Sequence, residues 1–475
     1  MNSISDSRLA TILSAFTKAE WRHFKRFINS GVAGPIGKSS ELYDYLSEIW
    51  PDFNHPGMRR EAIFNTLYPD QKFDDKKIRY TLTDLYRQAC SYLKYKGMED
   101  NPDEGNHVLA TTLARRNADK AYLALYQSDD YPSNIDADGS AERFFNTYRK
   151  EFVHLNYFTN RQKRNTRNPI ADVARNLDIF FVAKKMQLLC EVINVRNVMS
   201  VQYDFVLQDK IIEMIQTGAF DDIPVVNIYY RILMTLNHPE EELHFETLKS
   251  LLLKHGSGFR KEELRDMYQY LMNYCIKKIN LGMVKYVSIL SGIYKTILEN
   301  KVIYTGNYLS QWDFKNMVVI GIRAGEQDWV HQFIENYKSD LLQAEQNNAY
   351  VYNLAYYFFS TGNYKQTLML LQQVEFTDLY YQLDMRAILL KCYFEMDDQE
   401  TFFYHIAAFR IFLSRNKLVS EYQRVIYRNM IKYTTKLVRA TGDHPKIKQI
   451  LDEINEVKQI ADINWLRKKV EVAMS

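Results

Sequence analysis

Between Asn353 and Val374 the chain reads NLAYYFFSTGNYKQTLMLLQQV, and this stretch restricts the possible folds more than any other. Leu354, Ala355 and Phe358 share one helical face, Gly362 turns the chain, and Tyr364, Leu368, Leu371 and Val374 share the face of a returning helix. The small Ala355 lets the paired helices approach closely, and a glycine suits a left-handed exit from the first helix. The pattern returns 35 residues later in LLKCYFEMDDQETFFYHIAAF, where Leu389, Leu390, Tyr393, Asp397, Phe402, Ile406 and Phe409 take equivalent positions. An earlier copy, NMVVIGIRAGEQDWVHQFI, sets Val318, Gly321 and Gly325 at matching places 37 residues before. One such hairpin cannot bury its apolar face alone, so neighbours must stack and stability accrues interface by interface.

Recurrence at this interval, over roughly residues 310 to 415, resembles the tetratricopeptide repeat, which implies an α-α superhelix. Val351 and Arg386 stand where that repeat prefers Trp, Thr367 and Phe402 where it prefers Ala, and Leu379 where it prefers Pro. An array irregular in curvature is therefore expected. Together with LYPDQKFDDKKIRYTLTDLYRQACSYLKY near the N-terminus, the stretch also resembles a protein family of Bacteroidota-type bacteria, a resemblance that brings no activity with it.

Composition supports helices. Only 17 Gly and 10 Pro occur in 475 residues, which disfavours turn-rich β folds and disorder, and 46% apolar residues leave ample material to bury. The expected fold class is all-α: a degenerate tetratricopeptide-like solenoid over 204–475, preceded by an N-terminal helical domain at 1–97 and a helical middle region with loops at 98–203. In the first region, Thr17-Lys18-Ala19-Glu20 has the capping-box pattern and precedes Trp21, Phe24, Phe27 and Ile28 on one face. Ser40 is an expected N-cap for a helix carrying Leu42, Tyr45, Leu46, Ile49 and Trp50, and Asp74 or Asp75 for one carrying Ile78, Leu82, Leu85, Tyr86, Ala89 and Leu93. Gly97–Asn106 and Tyr131–Ser140, rich in Gly, Pro, Asn and acids, read as linkers. Helical periods follow at about 107–128, 140–159 and 170–199; the last is apolar on more than one side (Val173, Leu177, Phe180, Phe181, Leu188, Leu189, Ile193) and is expected to be largely buried. Two closing helices are expected at about 419–441 and 446–471.

Charge is nearly balanced, 61 Lys and Arg against 58 Asp and Glu, so any attraction to nucleic acid or anionic lipid must be local. The strongest local basic feature is NRQKRNTRN, with Arg161, Lys163, Arg164 and Arg167 and no intervening acid; a solvated loop is one reading, contact with phosphates or an acidic partner the other. Arg467, Lys468 and Lys469 beside Trp465 form a second basic group. Arg149 and His154, five apart on one helix, offer a pair for a single phosphate, and HPEEELH (His238 to His244) gathers potential metal ligands without a compact ligand spacing. No metal, cofactor or catalytic residue is expected from these groups, and GxxxxGK[ST], GxGxxG and GxSxG are all missing.

Cys90, Cys190, Cys275 and Cys392 lie far apart without a CxxC pair, as suits reduced thiols; with neither a secretory leader nor an apolar membrane span, a cytoplasmic location without membrane contact is expected. The functional expectation is a non-enzymatic scaffold or adaptor that binds a protein or peptide partner, with nucleic-acid binding through residues 161–167 as the alternative. The 35 Tyr include the adjacent pairs Tyr229–Tyr230, Tyr356–Tyr357 and Tyr380–Tyr381, whose rings point in different directions on a helix, so one of each pair is placed to meet a groove or core edge.

Overall fold

A computed structural model describes residues 3–129, 131, 139–161, 168–198, 206–373, 378–457 and 459–474; it includes the backbone but not the side chains of 195–198. Among these residues the secondary structure is helical, with three isolated β-bridges and no sheet. None of the described helices is long and apolar enough to cross a membrane. The chain divides into two compact units, residues 1–230 and 231–475.

The first unit begins with α1 (Arg8–Ser14), α2 (Lys18–Asn29), α3 (Ser39–Ser47) and α4 (Arg60–Leu67), all packed against the long α5 (Asp75–Asp100). The capping box forms as the sequence predicts: Thr17 accepts from the Glu20 N–H at 3.2 Å while the Glu20 carboxylate accepts from the Thr17 N–H at 2.7 Å. Trp21, Phe24 and Ile28 are buried on the face it starts, and the Trp21 ring stacks between Tyr43 (4.7 Å) and Trp50 (5.4 Å). Asp74, not Asp75, caps α5, accepting from the N–H groups of Lys76 and Lys77. Ser40 is not an N-cap: α3 starts at Ser39 and has no side-chain cap.

Residues 97–106 are a helix junction and not a linker. Helix α5 runs through Gly97 to Asp100, Asn101 caps the next helix by accepting from Glu104 N–H, and α6 (Pro102–Arg115) has its proline in the first turn, where the missing N–H costs nothing. The period at 107–128 likewise breaks at Asn117 (φ 59°) into α6 and α7 (Asp119–Tyr126). Helices α8 (Ala141–Asn160) and α9 (Ile170–Val198) pack on each other. Burial of α9 is one-sided: Val173, Ile179, Val182, Ala183, Met186, Leu189 and Cys190 are covered, whereas Leu177, Phe181 and Leu188 are exposed. The expected linker at 131–140 falls mostly on residues 132–138, outside the described ones; of its ends, Tyr131 is buried. Helix α10 (Gln208–Gln216) follows, and the division between the units falls within α11 (Pro224–Asn237).

The second unit continues with α12 (Glu242–His255), α13 (Lys261–Asn280), α14 (Lys285–Glu299), α15 (Gln311–Arg323), α16 (Gln327–Tyr337), α17 (Gln343–Ser360), α18 (Tyr364–Leu371), α19 (Leu379–Glu395), α20 (Gln399–Arg415), α21 (Glu421–Arg439), α22 (His444–Glu456) and α23 (Ile463–Met474). From α12 onward each helix packs on the next, and α17 also packs on both α15 and α19. The expected helix at 446–471 is two, because the chain breaks after Glu456 and re-enters a helix past Asp462 at φ 50°.

Four of the hairpins, α13–α14, α15–α16, α17–α18 and α19–α20, share one exit. The residue that turns the chain has positive φ at Gly282 (87°), Gly325 (79°), Gly362 (79°) and Asp397 (51°). The next N–H then reaches back to a carbonyl five residues earlier: Met283 to Lys278 (3.1 Å), Glu326 to Gly321 (2.9 Å), Asn363 to Phe358 (2.8 Å) and Asp398 to Tyr393 (3.1 Å). Asn363 and Asp398 go on to cap the returning helices with their side chains. Asp397 alone in this set carries a Cβ in the left-handed region. Asp397→Gly is expected to stabilise the fold by about 0.5 kcal/mol, relief of strain outweighing the added freedom of the unfolded chain. Urea unfolding that showed a lower midpoint for the variant would contradict the strain argument.

Candidate functional site

The residues of the basic segment are only partly visible. Arg161 ends α8, where its guanidinium pairs with Asp119 (2.6 Å), donates to Asn117 Oδ1 (2.9 Å) and lies 4.0 Å from the Tyr157 ring centroid. It fastens α8 to the α6–α7 turn. Lys163, Arg164 and Arg167 lie outside the described residues.

Arg149 and His154 do not converge. Five residues along an α-helix turn the side chains about 140° apart. Arg149 makes a two-pronged contact with Glu104 (2.6 and 3.0 Å), which holds that carboxyl below its ordinary range. His154 stacks on Tyr126 at 3.9 Å, with Nδ1 3.2 Å from the Tyr122 hydroxyl.

His238, Glu240 and Glu241 bring ligand atoms within 4.8 Å of one another on an exposed turn. Glu241 also meets His244 Nε2 (3.1 Å), and Arg231 lies 2.8 Å from His244 Nδ1. A guanidinium one imidazole away opposes a cation there. At the C-terminal end, Lys469 Nζ (2.6 Å) and Trp465 Nε1 (2.8 Å) both donate to Glu395, so this part of the second basic group docks α23 onto α19.

In the second unit, alternate helices from α15 to α21 contribute to one polar and aromatic cluster. Asp384 on α19 pairs with Lys315 on α15 and accepts from the hydroxyls of Tyr352 on α17 (3.4 Å) and Tyr427 on α21 (3.1 Å). Burial, more than the nearby carboxylate, drives both phenols well above their usual range, so they act as donors and not as acids. Lys315 Nζ also lies 5.1 Å from the ring centroids of both Tyr352 and Tyr381. Trp312, on the same helix as Lys315, stacks on Tyr381 (5.2 Å) and meets Tyr380 edge-on (6.2 Å). Trp312 is 40% and Tyr380 58% exposed, whereas Tyr381 is buried. The adjacent pair Tyr380–Tyr381 thus divides as expected, one ring facing inward and one outward.

Of this cluster the sequence marks only the pair Tyr380–Tyr381, and that as one of three such pairs. Lys315 and Asp384 are 69 residues apart, and only stacked hairpins bring them together. The spacing of Tyr380 and Tyr381 against the helical period was the one available signal. Comparison with models of known protein families, with curated proteins and with solved structures finds no match. What holds is the all-helical architecture with helix pairs packed in sequence order.

Proposed function

We propose that the protein is a non-enzymatic interaction scaffold whose second unit is a degenerate tetratricopeptide-like superhelix, and that a protein or peptide segment docks beside Trp312 and Tyr380. The observation that carries this reading is the pair of exposed aromatic rings on α15 and α19, set against the paired charges of Lys315 and Asp384. Rigid aromatic rings offer contact area at low entropic cost, and beside a satisfied ion pair they give a partner an apolar anchor with polar groups for orientation. Burial raises the thiols of Cys275 and Cys392 to about 12, in keeping with inert thiols in a reducing cytoplasm.

The test is affinity purification of the full chain and of a Trp312→Ala, Tyr380→Ala double variant, with bound proteins identified by mass spectrometry. Both side chains are exposed, so the variant should keep its helical circular dichroism. The expected result is a reproducible protein partner that the double variant loses. Recovery of no such partner, or of one held equally by both proteins, overturns the reading.

A further inference from the structure

In the first unit a cavity of about 470 Å³ opens between the loop preceding α3 and one side of α5. The loop carries Gly31, Gly34 and Gly37, each at positive φ, and ends in Lys38 and Ser39 at the start of α3. This G-x-x-G-x-x-G-K-S spacing differs from the GxxxxGK[ST] pattern that the sequence lacks. Helix α3 is nine residues long and no side chain caps it; the Ser39 N–H on the cavity wall already donates to the Ile36 carbonyl at 3.0 Å, so this end attracts an anion through the helix dipole and not through a free N–H. Lys38, Lys77 and Arg87 line the cavity against a single lining carboxylate, Asp84. Lys38 and Lys77 flank the Tyr68 ring, with Nζ 5.7 and 4.2 Å from its centroid.

Gln88 distinguishes this helix start from an ordinary one. It lines the same cavity, is 3% exposed, and its Nε2 donates to the Pro35 carbonyl at 3.1 Å, pinning the loop onto α5. That bond fixes the amide's orientation and leaves Oε1 buried without a hydrogen-bond partner. A buried acceptor calls for a donor, which a fully ionised phosphate does not carry. The cations and helix terminus call for an anion. One ligand chemistry meets both demands.

We infer that this cavity binds a phosphate monoester bearing a hydroxyl near the phosphorus, as sugar phosphates and nucleotides do. The phosphate sits near the positive end of α3 and takes Lys38 and Lys77, and the hydroxyl donates to Gln88 Oε1. The contacts that Lys38 and Lys77 make now, to Glu41 and Gln71, are solvent-facing and exchangeable. The inference concerns the first unit and does not depend on the partner proposed for the second.

Isothermal titration of the full chain with ribose 5-phosphate tests it, with methyl phosphate, a monoester that carries no free hydroxyl, as the second probe at about pH 8, where both phosphates are dianions, and at matched ionic strength. Ribose 5-phosphate should bind at a single saturable site, with methyl phosphate about tenfold weaker for want of the hydroxyl, and Lys77→Met should weaken ribose 5-phosphate about tenfold. Gln88→Leu should bring the two probes to equal affinity. Because Gln88→Leu also removes the bond to Pro35, Lys77→Met carries the test if that variant fails to fold. Absence of saturation at millimolar ribose 5-phosphate, unchanged binding by Lys77→Met, or equal affinity of the wild type for both probes overturns the inference.

Discussion

Phe409→Ala is expected to lower the stability of the second unit by about 3–5 kcal/mol. Phe409 is 0% exposed on α20, inside a core that joins α19 through α23. Its ring lies 5.7 Å from that of Tyr427 and 6.2 Å from that of His405. Truncation removes the transfer energy of a benzyl group and leaves a cavity that rigid helices on several sides cannot close. Chemical denaturation followed by circular dichroism measures it. A loss under about 0.5 kcal/mol, the range of ordinary surface changes, would contradict the stacked core on which the fold rests.

Gly321→Val should cost about 2–3 kcal/mol by the opposite route, overpacking. A Cβ built at Gly321 on α15 would lie 2.5 Å from Val330 Cγ2 and 3.2 Å from the Trp329 ring on α16. Trp329 has little room to retreat, since it stacks on Phe333 at 5.2 Å and lies under Lys295 Nζ at 4.7 Å. Gly321→Ala should cost less, because gained helix propensity of about 1 kcal/mol offsets part of the clash. Thermal unfolding of both variants checks the order: valine below alanine, and alanine below wild type. Equal melting temperatures for all three would mean that α15 and α16 do not approach as closely as described.

The two substitutions also show what the sequence makes legible. Phe409 and Gly321 could both be placed from the repeating pattern, since periodicity and turn chemistry are local properties. The same holds for the Thr17–Glu20 box and, to within one residue, for the cap of α5, where the sequence offers Asp74 or Asp75. Junction chemistry is more ambiguous. Asn101 and Pro102 fit a loop as well as a direct passage from one helix to the next, and composition alone favoured the loop. The faces of α9 show a second limit: apolar residues on more than one side indicate an appetite for burial, yet Leu177, Phe181 and Leu188 remain exposed within the described structure. The candidate sites were least legible. Asp384 gathers Lys315 from 69 residues away, and Gln88 reaches Pro35 across 53, so both depend on tertiary folding that no local window contains.

The ion pair between Lys315 and Asp384 joins α15 to α19, two helices that both pack on α17. In an array linked only by adjacent interfaces, hairpins can peel from an end one at a time, each at its own modest free energy. A tie from α15 to α19, extended to α21 through Tyr427, makes release of one hairpin disturb those on either side. Amide protons along these helices should therefore exchange through a shared opening event, and the middle of the unit should resist nicking by proteases until the whole block gives way.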